Sequence, residues 1–408
     1  MTMAHVSKSG SAGGGSSTLN AIFLMLKGFI GTGILFLPKA FLHGGLLGSL
    51  ILLILMAAFS MWGMWLLFNA SLVIPGSYQD VMGQLYGSKV KTIVMVSLTF
   101  CQYGLVMVYM LFVGSNLRDL VATLTDCRYE FNNWILLLAV QLIAYIPLVL
   151  IRKIEGLSKF AFLANIFMIT GIFYVLYCSF VKIVHSPAKF STFNDLSNTT
   201  LFLGTAIFTF EGFGLVIPIS QSMKDPRKFG LVLVFTIIVV TMLCVLIGVL
   251  GLIAFGSLTE TVILLNMPNN IYLQVIQILY IVAIMLSLPL QFFPAVEILE
   301  APFFGKHPNE SYRSLYRVFL TIVATCGAYI GASSLDVFTS FIGGFCAMPI
   351  CFIYPPMAYL RSCARTKFQK YSSYVLLAIG VVLTIFASSI AFHKLLFDEK
   401  EVEINRCQ

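Results

Sequence analysis

The apolar run from Leu19 to Phe41 is long enough to cross a hydrocarbon core of roughly 30 Å. In its middle stands Lys27-Gly28-Phe29-Ile30-Gly31-Thr32-Gly33-Ile34-Leu35-Phe36-Leu37-Pro38. A segment that spans lipid has to satisfy its own backbone N–H and C=O groups, which normally means an unbroken helix. Gly28, Gly31 and Gly33 weaken that helix near mid-membrane, and Pro38 interrupts its hydrogen-bond ladder again further on. Backbone that leaves the helix at such depth is tolerated only where it is enclosed by protein or lines a cavity, and there its free groups face a ligand. This stretch reads as half of a substrate site.

For one such cluster, close helix packing through small residues is an equally good reading. A second cluster tips the balance. Phe208-Thr209-Phe210-Glu211-Gly212-Phe213-Gly214 runs on to Pro218 and repeats the G-x-G…P order of Gly31, Gly33 and Pro38, with a charge of its own in Glu211. Paired Gly/Pro-interrupted spans in corresponding places of two halves point to a transporter's binding site.

Composition excludes a water-soluble fold. Of 408 residues 59% are hydrophobic and only 10% charged, against about 25% charged in soluble domains. The net charge of +8 comes from short loops between apolar runs, where basic residues set orientation rather than bind nucleic acid. The nine cysteines show no C-x-x-C and the five histidines no H-x-x-x-H, so no metal centre is indicated. Cys127 and Cys407 fall on the same side of the membrane; a disulfide between them is the alternative to two free thiols, which is the expected state.

Runs of about 20 residues give eleven expected spans, near 19–41, 46–74, 91–117, 133–151, 158–183, 199–221, 230–255, 271–295, 314–331, 335–360 and 372–395. Residues 1–18 read as a flexible polar tail or linker, 19–395 as the membrane domain, and 396–408 as a short acidic tail. Loops carrying Lys89, Lys91, Arg152, Lys153, Lys224, Arg227, Lys228, Arg361, Arg365, Lys367 and Lys370 alternate with loops that hold about half as many basic residues. The positive-inside rule therefore puts the N-terminus in the cytosol and the C-terminus across the membrane. Spans 1–5 and 6–10 form two sets of five in opposite orientation, the geometry of an inverted repeat, with span 11 added. The expected fold is thus all-α, a polytopic bundle of eleven helices in a 5+5 inverted repeat plus one. The sequon Asn198-Thr199-Thr200 falls on the non-cytosolic side, which makes Asn198 a glycosylation candidate.

An amino acid placed where spans 1 and 6 cross finds complementary chemistry. The outer half of span 1 begins near Thr32-Gly33, and its helix N-terminus suits a carboxylate. Carbonyls at the ends near Leu26-Lys27 and Phe208 suit an ammonium. Gly28, Phe29, Ile30, Gly31, Thr32, Gly33, Phe208, Thr209, Phe210 and Gly212 are the expected contacts, with Tyr103 of span 3 beside them. Lys27 and Glu211 are ionisable groups near mid-membrane, where such groups are functional candidates. They serve either as a proton carrier, in Glu211, or as an ion pair that ties the two broken helices together.

The stretch from Lys27 to Phe41 resembles the first-span signature of the amino acid/auxin permease family. Phe210-Glu211-Gly212 with Met223-Lys224-Asp225-Pro226 is similar to its sixth-span signature, and Ser77-Tyr78-Gln79-Asp80 with Leu85-Tyr86-Gly87 to its loop after span 2. The branch it looks most like holds the fungal vacuolar amino-acid exporters and the animal proton-assisted amino acid transporters. The resemblance implies a leucine-transporter-like fold and secondary transport of small neutral amino acids with a co-transported proton and no other cofactor. It also implies a vacuolar or lysosomal membrane, with the plasma membrane second. Two departures stand out. The animal branch has a histidine three residues before the motif lysine, where this chain has Leu24, and the long hydrophilic N-terminal region common in fungal members is not among these residues.

No H-E-x-x-H, G-x-S-x-G or Walker A motif supports an enzyme. A facilitator, or a nutrient-sensing receptor without proton coupling, would keep the same fold. The orientation is open to direct test. Lys367→Cys, in a background without other accessible thiols, is expected to react with an impermeant maleimide from the cytosolic face only; reaction from the opposite face overturns the topology.

Overall fold

A computed structural model describes residues 17–128, 134–150, 154–304 and 310–397. The tails, Cys407 and Asn309 lie outside the described residues. Within these limits the chain is helical throughout: α1 (Thr18–Phe29), α2 (Gly33–Gly44), α3 (Leu46–Val73), α4 (Tyr78–Tyr86), α5 (Ser88–Leu124), α6 (Trp134–Val149), α7 (Ile154–His185), α8 (Leu196–Thr209), α9 (Phe213–Ser222), α10 (Phe229–Phe255), α11 (Ile271–Phe304), α12 (Glu310–Ala328), α13 (Leu335–Phe341), α14 (Tyr354–Ser362) and α15 (Lys367–Phe397). Among the described residues nine helical stretches are long and apolar enough to cross a membrane, and ten if the bent pair α1 and α2 is one span. The fourth expected span coincides with α6, of which 16 residues are described.

Glycines set how closely the spans cross. A Cβ at Gly343 would collide with the carbonyl oxygen of Gly204, and one at Gly204 with that of Ser340, so the backbones of α8 and of the span following α13 touch directly. That span is π-helical over Ile342–Ala347 and Pro349–Ile353, a distortion often found at functional positions. Pro38 does not end its helix. It lies inside α2, which continues to Gly44, and its ring packs where a Cβ at Gly251 of α10 would lie 2.6 Å from its Cγ. A single proline removes one backbone donor, and the helix runs on past it to Gly44. Pro218 sits inside α9 in the same way.

The polar ends are tied down. Ser77 and Asp80 form a capping box at the start of α4, and Lys91 Nζ reaches Asp80 Oδ1 at 2.7 Å. Burial pushes the Asp80 carboxyl up, but the hydrogen bonds from Lys91 and Ser77 outweigh it and hold it below the usual carboxylate range. Tyr78 and Tyr86 of α4 donate to the carbonyls of Ile350 and Met357 at 2.7 and 2.9 Å, which fastens this short helix under the π-helical span. At the ends of α11 and α12, Arg317 donates to both oxygens of the buried Glu300 at 2.6 and 3.2 Å. Arg313 completes the cluster at 2.8 Å.

The Gly204–Gly343 crossing generates a stability prediction. Gly343→Val should lower the thermal stability of the detergent-solubilised protein, by at least the ~1–3 kcal/mol that overpacking costs. Gly214→Ala, whose Cβ meets nothing within 4 Å, should leave the unfolding temperature unchanged.

Candidate functional site

Both glycine clusters break their helices. α1 stops at Phe29; Ile30 is extended (φ −79°, ψ 97°) and donates to Leu26 O at 2.9 Å. Gly31 and Thr32 bridge to α2, which leaves at an angle of 52°. Thr32 occupies the cap position of α2, yet its side chain makes no capping bond and its Oγ1 is buried without a hydrogen-bond partner. The N-terminal donors of α2 and a buried hydroxyl therefore converge on one point, a ready site for a carboxylate. The second break follows Thr209. The Phe210 N–H is shared between Ala206 O and Ile207 O at 3.1 Å each, the Glu211 N–H reaches Phe208 O only at 3.4 Å, and α9 begins at Phe213.

The breaks meet. A Cβ added at Gly33 would lie 2.9 Å from Thr209 Oγ1 and 3.3 Å from the Phe208 ring. One at Gly212 would lie 2.7 Å from the Phe29 ring, and one at Gly28 would overlap the Leu215 side chain. Phe208 also faces Phe36 of α2, with ring centroids 6.5 Å apart, and Phe36 in turn faces Phe112 of α5 at 6.1 Å. Phe29, Gly31, Gly33, Phe208, Thr209 and Gly212 thus share one place, with Ile30 and Phe210 buried beside them.

Glu211 is buried at 7% exposure. It lies close enough to Cys101 and Tyr109 of α5 and to Cys351 of the π-helical span to interact with each electrostatically. No ion pair joins it to Lys27 among the described residues, so the helix-tying pair is not formed in this structure. The reason is geometric. Lys27 occupies the last turn of α1, on the near side of the break, where a cation is favoured by the helix end, whereas Glu211 faces α5 and the span beyond α13. Position 24 makes no substitute: Leu24 is 44% exposed on the outside of α1.

Tyr103 is placed differently from expectation. Its ring packs edge-on against Phe292 of α11 at 5.2 Å and its buried hydroxyl has no partner. The tyrosine at the break is Tyr109, whose hydroxyl would be 3.4 Å from a Cβ on Gly31 and which faces Gln291 of α11. Helical spacing carried a signal for it, because Tyr109 lies seven residues after Gln102 and so on the same face of α5. Gln102 itself presents a buried, unpartnered Oε1. Ser287 only bonds back to Ala283 O at 2.8 Å. Asn198 is engaged in the first turn of α8: it donates to Asp195 Oδ1 at 2.7 Å and accepts from Lys394 at 2.6 Å, while Thr200 of the sequon is buried. Cys127 is disulfide-bonded, not the free thiol expected.

Two crossed, broken helices of this kind can be compared with known proteins. The family model described as "Transmembrane amino acid transporter protein" matches residues 14–393. The chain belongs to this family. Among its relatives are vacuolar amino acid transporter 3 of Schizosaccharomyces pombe, 35% identical over 385 residues that make up 93% of this chain and 58% of the relative. Vacuolar amino acid transporter 4 of Saccharomyces cerevisiae is 36% identical over 423 residues, 94% of this chain and 59% of the relative. The chain thus spans less than two thirds of the length of these relatives. The crystal structure of MhsT in complex with L-phenylalanine shares the fold, with a TM-score of 0.60 at 14% identity, covering 94% of this chain and all of that one. The chain therefore has the leucine-transporter-like fold, and the protein is a multi-pass membrane protein.

Steric space makes the first break testable. A Cβ at Gly31 meets only the Tyr109 hydroxyl, at 3.4 Å, whereas one at Gly33 presses on the Thr209 backbone at 3.1 Å. Gly31→Ala is expected to keep its melting temperature while losing at least tenfold in affinity for an amino-acid ligand (about 1.4 kcal/mol). Gly33→Ala should lower both. Unchanged affinity in Gly31→Ala would return Gly31 to a packing role.

Proposed function

We propose that this protein is a secondary active transporter that moves small neutral amino acids across a vacuolar or lysosomal type of membrane, coupled to protons, by alternating access to the point where α1–α2 and α8–α9 break. The observation that carries this reading is the meeting of the two breaks, with Thr32 and the uncapped N-terminus of α2 on one side and Glu211 on the other. The relatives named as vacuolar amino acid transporters support both the substrate class and the membrane.

The chemistry follows from the free backbone groups. A substrate carboxylate takes the N–H groups at the start of α2, whose partial positive charge is uncompensated by a cap. The ammonium takes carbonyls at the ends of α1 and α8, which no longer have partners in their own helices. The ring surfaces of Phe29, Phe36 and Phe208 leave an apolar space for the side chain, which favours uncharged substrates. Glu211 is the buried carboxyl at this point without a basic partner. A carboxyl that is not tied to a cation is free to gain and lose a proton as its surroundings change between the two open states, and this makes Glu211 the proton carrier.

The decisive assay is uptake of labelled amino acids into proteoliposomes with an imposed pH gradient. Glu211→Gln imitates the protonated carboxyl. It is expected to exchange substrate at a rate within about threefold of the wild type (under 1 kcal/mol) and to lose all acceleration by the gradient. Gradient-driven accumulation by a folded Glu211→Gln protein would exclude Glu211 as carrier. Saturable binding without any flux in the wild type would favour a receptor.

A further inference from the structure

The two sides of the broken helices differ in burial. Thr200 to Thr209 of α8 are buried, as is α2 except for Lys39, Leu42 and His43. On the other side Leu19, Phe23 and Leu24 of α1 and Leu215 of α9 are exposed, and Gly214 faces open space. The stretches of α2 and α8 beyond the breaks are therefore enclosed by the bundle, on the lumenal side under the expected orientation.

Two sets of contacts hold that end. The connector between α7 and α8 is laid across it. Ser191 O accepts from the Leu46 N–H at 2.9 Å and Thr192 O from the Leu47 N–H at 3.1 Å, and Asn194 Nδ2 donates to the carbonyls of Leu42 and His43 at 2.6 and 3.1 Å. This satisfies the end of α2, which otherwise leaves carbonyls without partners. Beside it, His43 Nε2 meets Asp336 Oδ2 at 2.8 Å, with the side chains 14% and 7% exposed. His43 is in the last turn of α2 and Asp336 in the first turn of α13. Helix ends favour a cation at the first place and an anion at the second, so both partners sit where their charged forms are supported.

We propose that His43 and Asp336 are a proton-operated latch that holds the site shut from this side; the assignment of what passes through rests on the transport reading, but the latch itself does not. Histidine is the side chain whose charge ordinarily changes between pH 5 and 8. With His43 protonated the contact is a half-buried ion pair; with it neutral, a hydrogen bond remains. An acidic compartment on this side strengthens closure, and a neutral one eases opening. The other charged or titratable groups at this end include His185 at the end of α7, Lys189 and Asp195 of the α7–α8 connector, Glu260 after α10, and His393 and Lys394 of α15, the His393 ring lying against that of Phe397. Lys39, one turn earlier on α2, also acts on Asp336. Asp195 at the start of α8 and Lys394 of α15 are bridged by Asn198. The α3 and α10 helices, which also pack on α2, bring no Asp, Glu, Lys, Arg or His within their ranges.

The test reads opening directly. Thr205→Cys, on the enclosed stretch of α8, is introduced into a background without other accessible thiols and reconstituted. Its labelling rate by an impermeant maleimide added on the α2 side is measured at pH 5 and pH 8, with and without His43→Gln. Comparing the two proteins at each pH cancels the thiol's own pH dependence. Glutamine keeps a hydrogen bond to Asp336 but no charge, so the expected acceleration by His43→Gln is threefold or more at pH 5 and close to none at pH 8. Asp336→Asn should behave alike. Equal acceleration at both pH values, or none at either, overturns the latch, as does failure of Thr205→Cys to label in any of the proteins. Because labelling needs no flux, a failed uptake assay would sink the transport reading and leave this result standing.

Discussion

A peptide group in hydrocarbon has no water to bond, and leaving one unpaired costs several kcal/mol. That cost dictates where this chain is allowed to be irregular. The interruptions at Ile30–Thr32 and Phe210–Gly212 are tolerated because each break is walled by the other. Gly33 lies against Thr209, and Gly212 against Phe29. Neither opening could face lipid alone. The third irregular span, π-helical from Ile342 to Ile353, obeys the same constraint. One of its carbonyls, that of Ile350, is taken by the Tyr78 hydroxyl, and it packs where glycines bring α8 to backbone distance.

Much of this was legible before any coordinates. Long apolar runs announce membrane helices because length and hydrophobicity mark a span, and the Gly/Pro clusters announce the breaks because the same order recurs in corresponding places of the two halves, which close packing alone does not require. The misreadings have a common physical source. Pro38 and Pro218 look like helix breakers in one dimension, yet each removes a single donor and its helix runs on past it. Tyr103 and Tyr109 are equivalent as residues in an apolar run, and only the rotation of α5 about its axis separates them. The disulfide at Cys127 depends on a partner that no local pattern encodes.

Lys27 and Glu211 show the same limit in electrostatic form. Opposite charges at similar depth invite pairing, since an isolated ion in low dielectric is costly. Depth, however, says nothing about azimuth. The lysine stands at the C-terminal end of a half-helix, where the backbone dipole already offers it compensation, so a carboxylate was not needed. The glutamate is thereby left facing Cys101, Tyr109 and Cys351, groups that offer no positive charge.

Among the described residues three carboxyl side chains are buried, Glu211, Glu300 and Asp336, and they differ in their partners. Glu300 is clamped by Arg313 and Arg317. Arginine stays protonated at any physiological pH, so the cluster between α11 and α12 is fixed and its removal from either side would leave a stranded charge. Asp336 is held by His43 at 2.8 Å, the contact proposed above as the latch. Glu211 has no basic partner and stands at the two breaks. The permanence of the partner grades these three sites, from a fixed cluster, to the proposed latch, to the proposed proton carrier. The least firmly paired of the three is Glu211, at the breaks, where the transport reading requires something to change.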